Sequence, residues 1–296
     1  MEIIFLGTSC MVPTKDRNHV GVLLRYKNQG ILFDCGEGIQ RQIKTAGLKL
    51  TAVTKILISH WHGDHVLGLP GLISSLGASE YSGILEIYGP KGTKQRLNKL
   101  FDAFAFDKRV EMKIEEIKPG KFFENKEFEL HAYKLDHKIE TLGYSFVEKD
   151  SRKIIMSKAK KLGIKEGPLV GKLQRGETVM VNGKKIKPDD VSMIDEGKKI
   201  TVISDTVLCK GCLDAAKDAD LLVSEACYTS ALQNKAEEYK HLTAKEAAQI
   251  ASSSGVKKLI LTHFSARYKD THEIEEDAKD VFNDITCAKD FMKIKI

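Results

Sequence analysis

Residues His60-Trp61-His62-Gly63-Asp64-His65 follow directly on the apolar run Ile56-Leu57-Ile58. Three imidazoles and one carboxylate within six residues form a density of metal ligands that an ordinary hydrophobic core does not need. Imidazole nitrogen binds zinc well, and a carboxylate can bridge to a second ion or orient a water molecule. The apolar run predicts a short strand, and open α/β sheets carry their chemistry at the carboxyl ends of strands. The stretch therefore favours a metal site over a polar loop with chance histidines.

The same order, a short apolar strand followed by a residue that can bind a metal or move a proton, recurs along the chain. The predicted strands and the residues after them are Glu127–Leu135 with Asp136 and His137, Ile200–Ser204 with Asp205, Leu221–Ser224 with Glu225, and Lys258–Thr262 with His263. If the strands are parallel within each half of the chain, their ends converge on one edge. Each residue alone could be a cap or a turn residue, but together with residues 60–65 they predict one shared site.

The composition is typical of a soluble globular protein. The chain has 296 residues, of which 42% are hydrophobic and 30% charged. No run of about 18 apolar residues occurs, so no membrane span is predicted, and the first residues do not resemble a secretory signal. The scattered cysteines favour reduced thiols in the cytoplasm. We interpret Cys209-Lys210-Gly211-Cys212 as incidental, although such a pair could be redox-active or half of a zinc site.

Residues 149–195, called the arm below, interrupt the pattern of strands and helices. Lys149–Lys187 contain twelve basic and three acidic residues, a net charge of +9, whereas the rest of the chain has a net charge of −3. We expect Gly167-Pro168 to form a turn and Asn182-Gly183 to connect a hairpin, with too few apolar residues for a separate core. The charge favours binding to a polyanion, and the plain alternative is a solvated lysine-rich helix and hairpin.

Several motifs resemble those of the metallo-β-lactamase superfamily and, within it, the short form of ribonuclease Z (tRNase Z), a tRNA 3′-processing endonuclease. Besides His-x-His-x-Asp-His, the motifs that carry the resemblance are Pro13-Thr14-Lys15-Asp16-Arg17-Asn18, Phe33-Asp34-Cys35-Gly36-Glu37-Gly38, Ser204-Asp205-Thr206, Glu225-Ala226, His241-Leu242-Thr243 and Thr262-His263-Phe264-Ser265-Ala266-Arg267-Tyr268. The sequence departs from the family pattern at Ser9, Ser224 and Cys227. The resemblance implies an α/β fold, the αβ/βα four-layer sandwich, as a single domain over residues 1–296. The arm, residues 149–195, is then an inserted, flexible RNA-binding exosite.

The resemblance also implies two Zn²⁺ ions per subunit. The implied ligands fall into two groups that share Asp205 as a bridge: His60, His62 and His137 for one ion, and Asp64, His65 and His263 for the other. Two neighbouring zinc ions can generate hydroxide near neutral pH and offset the charge that grows on a phosphate during attack.

Three residues receive catalytic roles from the same resemblance. Asp64 would orient the attacking water and take its proton, and His241 would protonate the leaving ribose 3′ oxygen. Glu225 would hold and polarise His241. The residues implied to bind substrate are Lys15, Arg17 and Arg267 at phosphates or the acceptor end, and Gly167 and Pro168 in the arm.

The function implied is removal of the 3′ trailer of precursor tRNA, with cleavage after the discriminator base that leaves a 3′-hydroxyl on the tRNA and a 5′-phosphate on the trailer. Precursor tRNA is the expected partner, and a cytoplasmic homodimer the expected form. One alternative is a dinuclear-metal hydrolase of a small ester, lactone, thioester or phosphodiester, which leaves the arm without a task. Another is a non-catalytic RNA-binding protein with a structural zinc, against which the Asp-rich ligand set argues.

Overall fold

Strands and helices alternate along the chain, and the strands are mostly short and buried. The structure, a computed structural model, describes residues 1–105 and 107–296. The strands are β1 (Glu2–Gly7), β2 (Gly21–Tyr26), β3 (Gln29–Phe33), β4 (Lys55–Leu57), β5 (Ile84–Gly89), β6 (Glu111–Glu116), β7 (Gly120–Glu124), β8 (Phe128–Asp136), β9 (Glu140–Glu148), β10 (Ser151–Ile154), β11 (Val179–Val181), β12 (Lys184–Ile186), β13 (Ser192–Asp195), β14 (Lys199–Ile203), β15 (Leu221–Glu225), β16 (Leu259–Thr262), β17 (Ile285–Cys287) and β18 (Lys293–Lys295).

The helices are short and lie between the strands. They are α1 (Ile39–Thr45), α2 (Gly63–Val66), α3 (Leu69–Ala78), α4 (Thr93–Asp102), α5 (Met156–Lys161), α6 (Pro168–Gln174), α7 (Pro188–Val191), α8 (Lys210–Ala216), α9 (Gln233–Tyr239), α10 (Ala244–Ser253) and α11 (His272–Lys279). A capping box begins α10, in which Thr243 and Glu246 accept hydrogen bonds from each other's backbone N–H groups. Every helix in the described part of the chain is too short or too polar to cross a membrane.

The chain divides into two compact units, of which the first comprises Met1–Phe123, Leu130–Phe146 and Lys199–Ile296. Among the described residues it contains two seven-stranded sheets, with strand orders β18-β1-β2-β3-β4-β5-β6 and β17-β16-β15-β14-β9-β8-β7. Strands β3 to β6 pair in parallel in one sheet, and β14 to β17 pair in parallel in the other. The carboxyl ends of each parallel set therefore lie at one edge, as the sequence predicted.

Helices cover one face of each sheet, and aromatic side chains join the other faces. Helices α1, α3 and α4 bury apolar residues against the first sheet, and α8, α10 and α11 against the second. Between the sheets, the rings of Phe33 and Tyr144 lie 6.4 Å apart, and the Tyr144 hydroxyl donates a 2.6 Å hydrogen bond to the Ile58 carbonyl. The predicted α/β class and four-layer sandwich are confirmed.

The second unit comprises Glu124–Glu129 and Val147–Lys198, a range that contains the whole arm. Strands β10 and β13 pair in antiparallel register, and β11 and β12 form the predicted hairpin around Asn182-Gly183. The unit has a small apolar core, contrary to the expectation from its composition, formed by Ala159, Ile164, Leu173, Val179, Val181, Ile186 and Val191. The interpretation of residues 1–296 as one domain with an inserted RNA-binding arm stays a prediction.

One local prediction is wrong. Gly167-Pro168 begins helix α6 rather than forming a turn, because proline suits the first helical position, where its missing N–H costs nothing. Near the end of the chain, β17 and β18 are separated by a loop. Phe291 in that loop has a φ of 67°, a left-handed conformation that a strand cannot contain.

Candidate metal centre and active site

The strand ends of both sheets bring the predicted ligands to one place in the first unit. His60 follows β4, His137 follows β8, and Asp205 follows β14 after a single serine. His263 follows β16, and Glu225 is the last residue of β15. Asp64 and His65 lie in α2, the single turn of helix that the sequence 60–65 enters. All of these residues are buried, and His62, between His60 and Asp64 in the sequence, is partly exposed.

The first group of ligand atoms belongs to His60, His62, His137 and Asp205. The Nδ1 atom of His62 lies 3.0 Å from His60 Nε2 and 3.3 Å from His137 Nε2. Asp205 Oδ2 lies 3.6 Å from His60 Nε2 and 3.9 Å from His137 Nε2. All four ligand atoms are within 4.8 Å of one another, which is close enough for them to surround one ion.

The second group belongs to Asp64, His65 and His263, whose ligand atoms also lie within 4.8 Å of one another. Asp64 Oδ2 is 3.5 Å from His65 Nε2 and 3.6 Å from His263 Nε2. The other oxygen of Asp205, Oδ1, lies 3.4 Å from each of these two nitrogens. Asp205 therefore presents one oxygen to each group, which is the geometry of a bridging carboxylate.

These donors fit a pair of zinc ions. A tetrahedral ion with bonds of about 2.0–2.1 Å keeps neighbouring ligand atoms about 3.3–3.4 Å apart, close to the distances above. The buried atoms His65 Nε2 and His263 Nε2 have no hydrogen-bond partner, a costly state that an ion would relieve. Imidazole and carboxylate donors suit zinc and other divalent transition metals.

A carboxylate that the sequence analysis did not select holds two of the histidines. Asp34 Oδ2 accepts a 2.8 Å hydrogen bond from His65 Nδ1 and a 2.7 Å hydrogen bond from Ser59 Oγ, which lies 2.9 Å from His60 Nδ1. Such contacts fix the ring orientation and the tautomer of a metal-binding histidine. Asp34 follows strand β3, so the strand-end pattern could have found it.

The backbone around the centre is held in unusual conformations. Asp34 and His263 have φ values of 57° and 60°, in the left-handed region that disfavours residues with a Cβ. His137 Nδ1 donates a 2.8 Å hydrogen bond to the carbonyl of Lys240, whose φ is 58°. Non-glycine residues in this region concentrate at functional sites, where the surrounding structure enforces them.

His241 and Glu225 form a second feature beside the ligand groups. His241 Nδ1 donates a 2.9 Å hydrogen bond to Glu225 Oε2, and the N–H of Thr206 donates a 2.7 Å hydrogen bond to Glu225 Oε1. Burial lowers the pKa of His241, but the Glu225 and Asp205 carboxylates outweigh it and raise that pKa to about 9. The ring of His241 lies 5.3 Å from that of His137, so this imidazole stands next to the first ligand group.

A further set of donors, all buried except the partly exposed His241, overlaps the second group. Glu225, Cys227, His241 and His263 each offer one ligand atom within 4.8 Å of the others. Cys227 Sγ also lies 3.2 Å from Cys10 Sγ, and burial raises the pKa of the Cys227 thiol. A neutral thiol is a poor metal ligand, so this set competes weakly with the one that contains Asp64.

The predicted substrate-binding residues are placed differently from one another. Arg267 is exposed, and its guanidinium lies 5.3 Å from the ring centroid of Tyr228, which packs 6.2 Å from the His241 ring. Lys15 is exposed, with 90% of its side chain accessible. Arg17 was expected to reach a phosphate but is 9% exposed and donates a hydrogen bond to the Tyr268 carbonyl. The position of Arg17 therefore favours support of the 264–268 loop over direct contact with substrate.

Gly167 and Pro168 belong to the second unit and lie on its surface at the start of α6. They form a helix start with an exposed proline ring. Neither residue has a side chain that can form a hydrogen bond. Any contact with RNA there would therefore use backbone atoms or the fit between the two surfaces.

Comparison with known proteins agrees with this geometry. Residues 1–158 match the family model described as anti-Pycsar protein Apyc1, so this part of the chain belongs to that family as well. Ribonuclease Z of Methanothermobacter thermautotrophicus is 40% identical over 297 residues, which cover 100% of this chain and 97% of that protein. Ribonuclease Z of Archaeoglobus fulgidus is 39% identical over 300 residues, with coverage of 100% and 97%.

Solved structures give the same result. The short form of human tRNase Z aligns over 100% of this chain and 99% of its own, with a TM-score of 0.74 and 28% identity. The metallo-β-lactamase-fold protein YhfI of Bacillus subtilis aligns over 99% and 98%, with a TM-score of 0.70 and 17% identity, which supports the fold alone. Full-length similarity at this level, with the ligand groups in place, shows that the chain belongs to the ribonuclease Z family of metallo-β-lactamase-fold proteins.

Proposed function

We propose that this protein is a zinc-dependent endoribonuclease that removes the 3′ trailer of precursor tRNA. Cleavage after the discriminator base leaves a 3′-hydroxyl on the tRNA and a 5′-phosphate on the trailer. The observation that carries the proposal is the meeting of two ligand groups on the two oxygens of Asp205, with the His241–Glu225 pair beside them. Membership of the ribonuclease Z family selects this reaction among those that a dinuclear centre can perform.

Two Zn²⁺ ions per subunit fit the donor set. We assign one ion to His60, His62, His137 and Asp205 Oδ2, and the other to Asp64, His65, His263 and Asp205 Oδ1. When bound, such a pair lowers the pKa of water and offsets the charge that grows on a phosphate during in-line attack.

Asp64 is suited to accept the proton of the attacking water. An aspartate side chain is ionised at neutral pH and can accept a proton. Its Oδ2 accepts a 2.9 Å hydrogen bond from the N–H of Met11, and its Oδ1 is buried and has no partner, so Oδ1 is free to accept a proton.

His241 is suited to protonate the leaving oxygen. A ribose 3′ alkoxide is a poor leaving group, so a proton delivered during cleavage lowers the barrier. The hydrogen bond from Nδ1 to Glu225 leaves the Nε2–H of the imidazolium available for this transfer. The exposed guanidinium of Arg267, stacked over Tyr228 beside His241, is suited to contact a phosphate next to the cleaved bond.

The arm supplies the selectivity for tRNA in this proposal. Its lysines are mostly exposed, among them Lys158, Lys160 and Lys161 on α5, and they support contact with RNA phosphates. Duplex RNA presents little readable base information in its deep groove, so such contacts would recognise shape and backbone.

We further propose that the protein acts as a homodimer in the cytoplasm. The compartment fits its six cysteines, all free thiols within the described residues.

The direct test is incubation of the zinc-loaded protein with a tRNA transcript that carries a 3′ trailer, followed by mapping of both new ends. We expect a tRNA that ends at the discriminator base with a 3′-hydroxyl, and a trailer with a 5′-phosphate. A 2′,3′-cyclic phosphate would contradict attack by water. A His60→Ala variant should be inactive, whereas the matched His272→Ala variant, at an exposed position outside the ligand groups, should cleave normally.

The structure also defines a clean deletion of the arm. Ile154 and Ser192 are paired across β10 and β13, so Asn-Gly can replace residues 155–191 and close a two-residue hairpin. We expect this variant to lose tRNA cleavage while it still hydrolyses a small chromogenic phosphodiester. Equal loss of both activities would assign the arm a purely structural role and contradict its function as an exosite.

A further inference from the structure

The pair Cys209 and Cys212 is not used by the proposed reaction. Cys209 precedes helix α8, and Cys212 lies in the first turn of that helix. Their Sγ atoms are 3.5 Å apart. A disulfide bond requires about 2.05 Å between the sulfurs, so a small movement of the two side chains would close one.

The two thiols differ in access. Cys209 is partly exposed and lines a cleft of about 810 Å³ together with Lys134 and Lys210, whereas Cys212 is fully buried. A small molecule in the cleft would therefore meet Cys209 first. Cys212 lies directly behind it, at the distance from which a second thiol attacks a mixed disulfide.

Half of a zinc site is the other chemistry that a C-x-x-C pair offers. Within residues 1–105 and 107–296, each group of possible metal ligands lies at the centre described above, and none includes Cys209 or Cys212. A structural zinc ion needs about four protein ligands. Redox chemistry is therefore the better interpretation of the pair.

The ionisation of the pair supports that interpretation. A hydrogen bond from the Cys212 thiol, together with the N–H groups of Cys212 and Gly211, lowers the pKa of Cys209 to about 5, although partial burial opposes the shift. The same hydrogen bond, together with burial, raises the pKa of Cys212. Cys209 is thus a thiolate near neutral pH, which is the form that attacks a disulfide.

The pair is connected to the catalytic residues through Thr206. Thr206 Oγ1 lies 3.7 Å from Cys209 Sγ and accepts a 3.0 Å hydrogen bond from the N–H of Asp136, next to His137. The N–H of Thr206, the neighbour of Asp205, donates to Glu225. Gly211 also packs against β8, where an added Cβ would lie 1.8 Å from the Lys134 carbonyl oxygen. Movement of the two sulfurs would therefore shift residues next to a metal ligand and to Glu225.

We propose that Cys209 and Cys212 form a reversible dithiol–disulfide pair, oxidised by small organic disulfides, whose closure slows tRNA cleavage through Thr206. The Cys209 thiolate attacks one sulfur of the small disulfide and releases one thiolate. The Cys212 thiol, losing its proton, then displaces the second. One small disulfide is thereby reduced to one thiolate and one thiol, and the two cysteines lose two electrons and the single proton that Cys212 carried. The effect on cleavage rests on the proposed function; formation of the bond does not.

The bond itself is tested in the zinc-loaded protein by exposure to oxidised glutathione, alkylation of free thiols, denaturation and trypsin digestion. Cleavage after Lys210 separates Ile200–Lys210 from Gly211–Lys217, so a Cys209–Cys212 bond is the only link between the two peptides. We expect a joined species that separates on reduction, or the uncut peptide with two hydrogens fewer. Stable glutathione on Cys209 without the internal bond would overturn the proposal. A bond between Cys10 and Cys227 in place of the Cys209–Cys212 bond would also overturn it. Those two cysteines are buried, so their oxidation would show that exposure does not select the thiol that reacts.

The effect on function is tested by cleavage of trailer-bearing tRNA before and after oxidation. We expect oxidation to slow cleavage by about tenfold, the scale of losses when contacts behind metal ligands are disturbed, and dithiothreitol to restore it. The Cys212→Ser variant should cleave tRNA as fast as the wild-type protein with free thiols, and oxidised glutathione should not change its rate. Cys209→Ser provides a second variant if the first folds poorly. An unchanged rate in fully oxidised protein would overturn the regulatory role. A reduced protein that does not cleave tRNA would instead contradict the proposed function, while the peptide test would still decide the bond.

Discussion

Asp34 Oδ2 lies 2.8 Å from His65 Nδ1, and this contact fixes which nitrogen of His65 faces the second ligand group. The same carboxylate accepts hydrogen bonds from Ser59, which in turn contacts His60, so one buried residue orients a histidine of each group.

Replacement of Asp34 tests that relationship. Asp34→Asn keeps the size of the side chain but removes the charge that holds the imidazoles, so we expect metal affinity to fall by about 10- to 100-fold. Competition with a chromophoric chelator measures the affinity. Asp107→Asn, at a side chain that is 68% exposed, is the matched control and should bind metal normally. Unaltered affinity in Asp34→Asn would leave this carboxylate without a role at the centre.

Loss of Asp205 should affect both ions, because each of its oxygens faces a different ligand group. We expect His60→Ala to retain about one ion per chain and Asp205→Ala to retain less than one. Elemental analysis after dialysis measures this directly. Thermal unfolding gives a second measure, since ligand at about 100 times its Kd stabilises the wild-type protein by about 2.7 kcal/mol per site. Zinc-dependent stabilisation of wild-type size in Asp205→Ala would contradict the bridging assignment.

The role of His241 as the general acid can be separated from a role in folding. His241→Ala should slow cleavage of the natural phosphodiester by about 10²- to 10⁴-fold, because the 3′ oxygen then leaves without a proton. A substrate with sulfur in place of that 3′ oxygen needs no such proton, since a thiol has a pKa of only about 8.5. We therefore expect the variant to cleave the sulfur substrate at nearly the wild-type rate. Equal losses on both substrates would exclude proton donation by His241.

Glu225 should set the pH range of the reaction. The Glu225 and Asp205 carboxylates together raise the pKa of His241 to about 9, so the donor is protonated below that pH, and cleavage should fall as the pH rises through it. In Glu225→Gln the pKa of His241 should drop by about one unit or more, and the alkaline fall should begin at correspondingly lower pH. Rate profiles of both proteins under single-turnover conditions measure the shift. Coincident alkaline limbs would mean that Glu225 does not act through the His241 proton.

Binding of tRNA should depend on the charge of the arm. Replacing Lys158, Lys160 and Lys161 with Gln should weaken binding at low salt and flatten the dependence of log Kd on log salt, by roughly 0.7–0.9 for each RNA phosphate that the arm no longer neutralises. The same charge change at Lys91, Lys94 and Lys99, exposed at or near α4, provides the control. Similar salt slopes for both triple variants would show that the arm makes no special contribution.

The meeting of these candidate ligands at one site could be predicted from the sequence, because short-range signals indicated it. The density of imidazoles in residues 60–65, and single polar residues directly after apolar strands, pointed to Asp205 and His263 without any knowledge of the fold. Parallel pairing brings such strand ends to one edge, so local patterns were sufficient to predict that these donors would lie together.

Only the tertiary structure decided how individual atoms are used. Arg17 and Arg267 look alike in the sequence, yet packing buries the first against the Tyr268 backbone and leaves the second exposed beside Tyr228. Asp34 acquires its role only from His65, which lies 31 residues away along the chain at a distance that no sequence pattern encodes. The physical reason is that strand and ligand patterns follow from neighbouring residues, whereas burial and hydrogen bonding depend on which distant segments the two facing sheets bring within a few ångströms.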